Sequence, residues 1–516
     1  MDLSTQSLSA TILQQLPGHS DKDTELRSCG SWSIAFRDVA GKYALDPQNL
    51  CLLEAARSCE GFFAQPPQMF LASLDLLLAK MQAAGAPLAS VDALNCSAQQ
   101  HGQVWLNRSF ADCCAALQRP QSQRSRLPEL FARSYGCPVA PIWMCSQTQA
   151  EAGHLLGRLG KERVLELSGS AAPLRFSGLV LRWLALREPA MYGLSVRIHL
   201  LSSWLAAVLS AQSSVPLDWG SAAGTSLMDY RRKCWSEDLL DCLAEGLEGG
   251  PEGLRARLPE LCPAQQCVGT LAPYFGKYGL RRDCLVLAGS GDNPQTKVAQ
   301  QGDLLSLGSS FVLMSQASGC HEWANAMYDG LDRPFSFACR SNGALVWDAW
   351  REQLGLSLAQ QDELLAQYPP GSVEPLCLRL LNESFPPGPA THPAIEKVVR
   401  PYTEPGKNLA AVIDGTLQEL HQACVEVFGP GREVLYVTGG PARSPQILRR
   451  IEEFWQRPVR TFHSAGASYG AARRLWRLWR PVALPGFRGR SGGARDELLT
   501  QPAGDIHIKA GVGQED

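Results

Sequence analysis

The sequence predicts an α/β protein of two related domains. Three observations carry that prediction. The chain has 516 residues, more than one ordinary hydrophobic core organises. Short strand-like runs alternate with runs at helical spacing, the grammar of packed α/β layers. Finally, "MDLSTQSLSATIL" at the start is echoed by "LLSLGSSFVLM" in the second half: each is an apolar strand, a turn of small hydroxyl residues and another apolar strand. A duplicated unit of this kind points to two related domains facing each other.

The elements follow in order. Met69 to Gly85 has apolar residues at Phe70, Leu74, Leu77, Leu78 and Met81, which predicts a helix with Gly85 as C-cap. A strand, "VDALNCS", follows and ends in the polar turn "AQQHG". "LVLRWLAL" and "WLAAVLSA" read as buried helices, and Arg197 to Ala211 and Glu237 to Leu247 as helices too. The Gly- and Pro-rich "EGLEGGPEGLRARLPELCPAQQC" is the expected join between halves. Beyond it, "GDLLSLGSSFVLM" predicts two strands around a Gly-Ser-Ser turn, and "NLAAVIDGTLQELHQACVEVF" a long helix. "EVLYVTGGPARSPQILRRIEEFWQ" reads as strand, Gly-Gly turn and helix, with Ser444 as N-cap and Pro445 in the first turn. "AGASYGAARRLWRLW" is helical, with Trp476 and Trp479 on one face, and the Gly- and Arg-rich tail is expected to be disordered.

Composition narrows the class. Hydrophobic residues are 45% and charged residues 19%, which fits a globular protein rather than a disordered one. A net charge of −2 gives no pull toward nucleic acid or an acidic membrane. The 17 cysteines are scattered without metal-ligand spacing, so reduced thiols in a cytoplasmic protein are expected. No signal peptide and no membrane span are read from the chain.

Several loops offer chemistry. Gly308-Ser309-Ser310 and Ser4-Thr5-Gln6-Ser7 present backbone N–H groups with little bulk, a composition able to wrap phosphate oxygens. An ordinary hairpin turn is the plain alternative. Gly439-Gly440 before a capped helix adds a dipole and free donors, although a simple strand-to-helix turn reads equally well. In "VLAGSGDNPQT", three small residues carry an apolar strand into Asp292 and Asn293. A carboxylate on a strand end suits a general base toward a hydroxyl; an Asx-type turn closing on Pro294 is the alternative. His101 offers a neutral imidazole and Arg175 a two-pronged cation; an exposed turn histidine and a surface salt bridge are the plain alternatives.

The order of these pieces resembles the FGGY carbohydrate kinases, and within them the xylulokinases of the eukaryotic type. The resembling stretches are "DLSTQSLSATIL", "ALNCSAQQHGQVW", "APIWMCSQT", "LRFSGLVLRW", "IHLLSSWLAAVLSA", "LMDYRRKCWSEDLLDCL", "YFGKYGL", "VLAGSGDNP", "LLSLGSSF" and "VTGGPARSPQIL", spread over residues 1–474. The resemblance implies a two-domain hexokinase/actin-like (ribonuclease H-like) fold with a ligand cleft between domains. It divides the chain into a sugar-binding domain, 1–267, an ATP-binding domain, 268–482, and a disordered tail, 483–516. It implies phosphorylation of D-xylulose at O5 with ATP and Mg²⁺, by a monomer or homodimer, with Asp292 as the general base. It assigns His101, Arg175, Asp292 and Asn293 to the sugar. Gly440, Pro441 and Ser444 fall on the adenosine part of ATP. Ser4, Thr5, Gln6, Gly308, Ser309 and Ser310 face the phosphates, and Asp2 the metal.

The chain also departs from the pattern. Few strand residues precede Asp2, as in an incomplete start. Cys145, Ser221 and Phe311 stand where acids or polar residues are customary, and Ala171 where an Arg is. These departures keep two rival readings open: a kinase for another ketose or polyol, and a sugar- and ATP-binding protein with weakened catalysis.

Overall fold

Two sheets carry the architecture, and they repeat one strand order. The computed structural model describes residues 1–16, 26–300, 302–316, 319–431, 433–461 and 466–478. In the first sheet the strands run Ser290–Gly291, Ser97–Ala98, Asp2–Leu3, Ser7–Gln15, Leu26–Ala35. The first three are parallel, and the last two continue as an antiparallel meander. The second sheet, taken from its far edge, runs Val459–Thr461, Leu435–Gly439, Asp303–Leu307, Phe311–Ser315, Pro334–Arg340, Asn325–Tyr328. Again the first three strands are parallel and the rest antiparallel.

The predicted echo is therefore structural. The hairpin Asp2–Leu3/Ser7–Gln15 and the hairpin Asp303–Leu307/Phe311–Ser315 occupy the same place in their sheets. The strand Ser290–Gly291 belongs to the first sheet, beyond the expected boundary at 267/268. Its place there is fixed by parallel pairing with Ser97–Ala98, and close packing needs glycine: a Cβ on Gly291 would lie 2.9 Å from Gln100 Cγ.

Helices bury one face against these sheets. Pro67–Ala83 buries Met69, Phe70, Leu74, Leu77, Leu78 and Met81, as its periodicity predicts, and Gly85 is left-handed after it. Ring contacts of Phe70 with Phe36 and Trp204 join this helix to its neighbours. Leu201–Ser210 is buried along its whole length, which is why its sequence reads as apolar all round. Pro405–Phe428 is the expected long helix, and Leu409 to Ile413 are buried in the second core.

Some expectations need correction. Arg197–Leu200 is a strand paired with Gln103–Leu106, and the helix starts only at Leu201. "VDALNCS" forms two short strands, Ala93–Leu94 and Ser97–Ala98, in different sheets. The helix from Glu237 stops at Ala244. Phe311 faces the core, edge-on to Trp347 at 4.9 Å between ring centres. Trp479 and the tail 483–516 lie outside the described residues. All 17 cysteines are free thiols.

Candidate functional site

Parallel strands that end in register send their following loops out of one edge. In the first sheet Leu3, Ala98 and Gly291 are aligned across three strands. The loops that leave there carry Ser4 to Gln6, Gln99 to His101, and Asp292 with Asn293. In the second sheet Leu307 is aligned with Gly439, so the turns Gly308–Ser310 and Gly440–Arg443 also leave one edge. Such carboxyl-end edges are where open α/β sheets bind ligands.

Asp292 is the first residue of helix Asp292–Ala299. Its Oδ1 accepts hydrogen bonds from the backbone N–H of Asn293 (2.8 Å) and of Gln100 (3.2 Å). These bonds and the helix N-terminus favour the carboxylate. Desolvation opposes them, followed by the neighbouring charge of Asp2, and the carboxyl is raised to about 7. A base poised there is half ionised near neutral pH.

His101 is buried, left-handed at φ 70°, and stacked on Phe176 at 4.7 Å. Burial first, and the charge of Arg175 second, push its imidazole down to about 3, so the ring is neutral. Nδ1 lies 2.8 Å from the Gly224 carbonyl, which can only accept. Nδ1 therefore carries the proton, and Nε2 is left as an acceptor for a ligand hydroxyl.

Arg175 is half-buried and makes no ion pair among the described residues. Its positive charge acts on His101 and also on Cys339 of the second sheet, whose thiol lies against the Ser310 hydroxyl. Arg175 thus stands electrostatically between the first-sheet loops and the Gly308–Ser310 turn.

The small-residue turns differ. Gly308 and Ser309 are exposed, and their carbonyls accept from Ala344 and Leu345 at the start of helix Ala344–Gln353. Gly439 needs φ 102°, with the Leu307 carbonyl where its Cβ would be, and nothing lies within 4 Å of a Cβ on Gly440. An exposed backbone shelf results. Ser444 is the N-cap of Pro445–Trp455, accepting from Ile447 N–H at 3.1 Å, and its hydroxyl donates to Asp362.

In the Ser4–Gln6 turn the hydroxyls are already used. Ser4 Oγ donates to the Ser7 carbonyl (2.9 Å). Thr5 Oγ1 donates to Gln99 Oε1 (3.3 Å) and accepts from Trp143 Nε1 (2.8 Å). Gln99 Nε2 donates to Gln65 Oε1, and Gln65 Nε2 returns to the Thr5 carbonyl, both at 2.8 Å. Any anion contact from this turn falls to its backbone amides.

Asp2 is raised by desolvation, against the Ser97 hydroxyl that favours its charge. Its Oδ1 is buried with no hydrogen-bond partner. Among the described residues no group of three or more His, Cys, Asp or Glu could hold a metal. A lone buried carboxylate oxygen suits Mg²⁺ held largely by phosphate oxygens and water.

Three of the four departures from the sequence pattern, Cys145, Ser221 and Phe311, lie inside the protein, whereas Ala171 is half-buried. Cys145 is 2% exposed and donates Sγ–H to the Phe63 carbonyl at 3.2 Å. Ser221 is 1% exposed, with its N–H on Asp218 and its hydroxyl 3.2 Å from that of Ser202. Sequence reasoning missed Gln65, Gln99, Gln100 and Trp143, whose partners are far away in the chain. The polar run "AQQHG" after a strand is the one signal that marks two of them.

Residues 138–299, which include Arg175, Asp292 and Asn293, match the N-terminal domain of the FGGY family of carbohydrate kinases. The chain is similar to xylulose kinase 2 of Arabidopsis thaliana, 31% identical over 60% of this chain and 52% of that protein. It is 34% identical to the xylulose kinase of Mus musculus over 48% of this chain and 44% of that one. The chain spans about half the length of these curated relatives. A solved xylulose kinase from Rhodospirillum rubrum superposes with a TM-score of 0.71 at 17% identity, covering 92% of this chain and 88% of that one. That likeness shows the fold alone, the expected hexokinase/actin-like α/β fold.

Proposed function

We propose that the protein transfers the γ-phosphoryl group of ATP to O5 of D-xylulose, giving D-xylulose 5-phosphate and ADP. The observation that carries this reading is the grouping of Asp292, Asn293, His101 and the Ser4–Gln6 turn at one edge of three parallel strands. The xylulose kinases among the relatives favour this sugar.

In this reading the first-sheet half of the chain holds the sugar and the second-sheet half holds ATP. Asp292 takes the proton of O5 as that oxygen bonds to the γ-phosphorus and the bond to the ADP oxygen breaks. His101 Nε2 accepts from one sugar hydroxyl, while Arg175 donates to sugar oxygens. Gly308 to Ser310 and the amides of Thr5 and Gln6 surround the phosphates, and Gly440, Pro441 and Ser444 line the adenosine. Asp2 would hold Mg²⁺, which supplies charge neutralisation on the phosphates when bound.

The test is ADP release with ATP, Mg²⁺ and a panel of ketoses and polyols. D-xylulose should give the highest kcat/KM. A higher value with another sugar would make the protein a sister kinase, and sugar binding without ADP release would make it a binding protein.

A further inference from the structure

Gln100 is 4% exposed and sits where three segments meet. Its Nε2 lies 3.5 Å from the Gly220 carbonyl and 3.8 Å from Met327 Sδ, on a strand of the second sheet. Both are acceptors only, so the NH₂ end of the Gln100 carboxamide must point that way. Its Oε1 then has one direction left, and there it meets Asn293 Nδ2 at 3.0 Å. The same reasoning passes to Asn293. An acceptor faces it on the Gln100 side, so Nδ2 lies on that side and Oδ1 points away. The Gln100 backbone N–H meanwhile binds Asp292 Oδ1. Gly291 and Gly224 leave room for this packing: a Cβ on either would come within 3.2 Å of the Gln100 side chain.

We infer that Gln100 is a positioning residue that sets which end of the Asn293 carboxamide meets the substrate, so that Asn293 offers its Oδ1 as acceptor to a sugar hydroxyl. The inference rests on the proposed sugar-kinase reading and deepens it. The anchored Gln100 amide is the reference, and Asn293 is the group it orients. A pocket so ordered selects a polyol bearing a hydroxyl donor beside the transferred position. Without the Gln100 acceptor, Asn293 can present either end, and half of its orientations meet that hydroxyl with a donor.

The test is a double-mutant cycle on D-xylulose affinity, measured by titration calorimetry with the full chain. Gln100→Met removes the acceptor at nearly constant volume, and Asn293→Ala removes the group it orients. Gln100→Met should weaken D-xylulose binding about twofold in the wild-type background, because half of the Asn293 orientations stay competent, and not at all in the Asn293→Ala background. Asn293→Asp supplies a second arm. It sets a carboxylate against Gln100 Oε1, and its binding penalty should shrink when Gln100→Met is added. Equal effects of Gln100→Met in both backgrounds, or none in either, would overturn the role of Gln100 while wild-type sugar binding leaves the kinase reading standing. A wild-type chain that binds D-xylulose at no concentration up to the millimolar range would overturn both.

Discussion

Asp292 is held under two opposing pressures. Two backbone donors and a helix N-terminus favour its charge, while desolvation and Asp2 resist it, and resistance wins, raising the carboxyl to about 7. If it is the base, kcat/KM should fall tenfold per pH unit below about 7; a limb near pH 4 would remove it from that role. Stability gives an independent check. A carboxyl raised from 3.8 to about 7 on folding binds more protons in the native state between those values, so its contribution to stability falls as pH rises through that window. Asp292→Asn should therefore melt higher than wild type at pH 8, with the advantage gone at pH 4. Phe311 poses the opposite case. Its ring lies in the core against Trp347, so it is not a missing cleft acid. Phe311→Asp should destabilise by at least about 3 kcal/mol in urea titrations, through the lost ring and a buried charge. A stable and more active Phe311→Asp variant would reverse that conclusion.

At the scale of elements, local chemistry was readable where one signal dominates. Ser444 followed by Pro445 marks a helix start, and the cap bond to Ile447 forms. Ser444→Ala should cost about 1 kcal/mol, measured by chemical denaturation. Strand, Gly-Ser-Ser turn and strand were equally legible, because period-two runs flank a tight polar turn. The run from Arg197 was misread because a short apolar segment has no decisive period; pairing with Gln103–Leu106 makes its first four residues a strand. The polar run that contains Gln99 and Gln100 was visible, but the partners in the amide network were not legible. Gln100 meets partners 120, 193 and 227 residues away, and nothing in its neighbours along the chain announces that.

The whole molecule rests on repetition. Two sheets with one strand order each end their parallel strands at a common edge, and the candidate sugar and nucleotide loops leave from those edges. The echo between "MDLSTQSLSATIL" and "LLSLGSSFVLM" announced this symmetry because both hairpins need the same small turn. Where the first sheet ends along the chain was hidden, since a two-residue strand at Ser290 joins it by pairing and not by sequence proximity. The central claim is that Asp292, at that last strand's end, activates a sugar hydroxyl. Its most direct test is kcat for ADP release with D-xylulose in Asp292→Ala against wild type, with both chains shown to be folded. A fall of roughly 10²–10⁴-fold is predicted; an unchanged kcat would contradict the account.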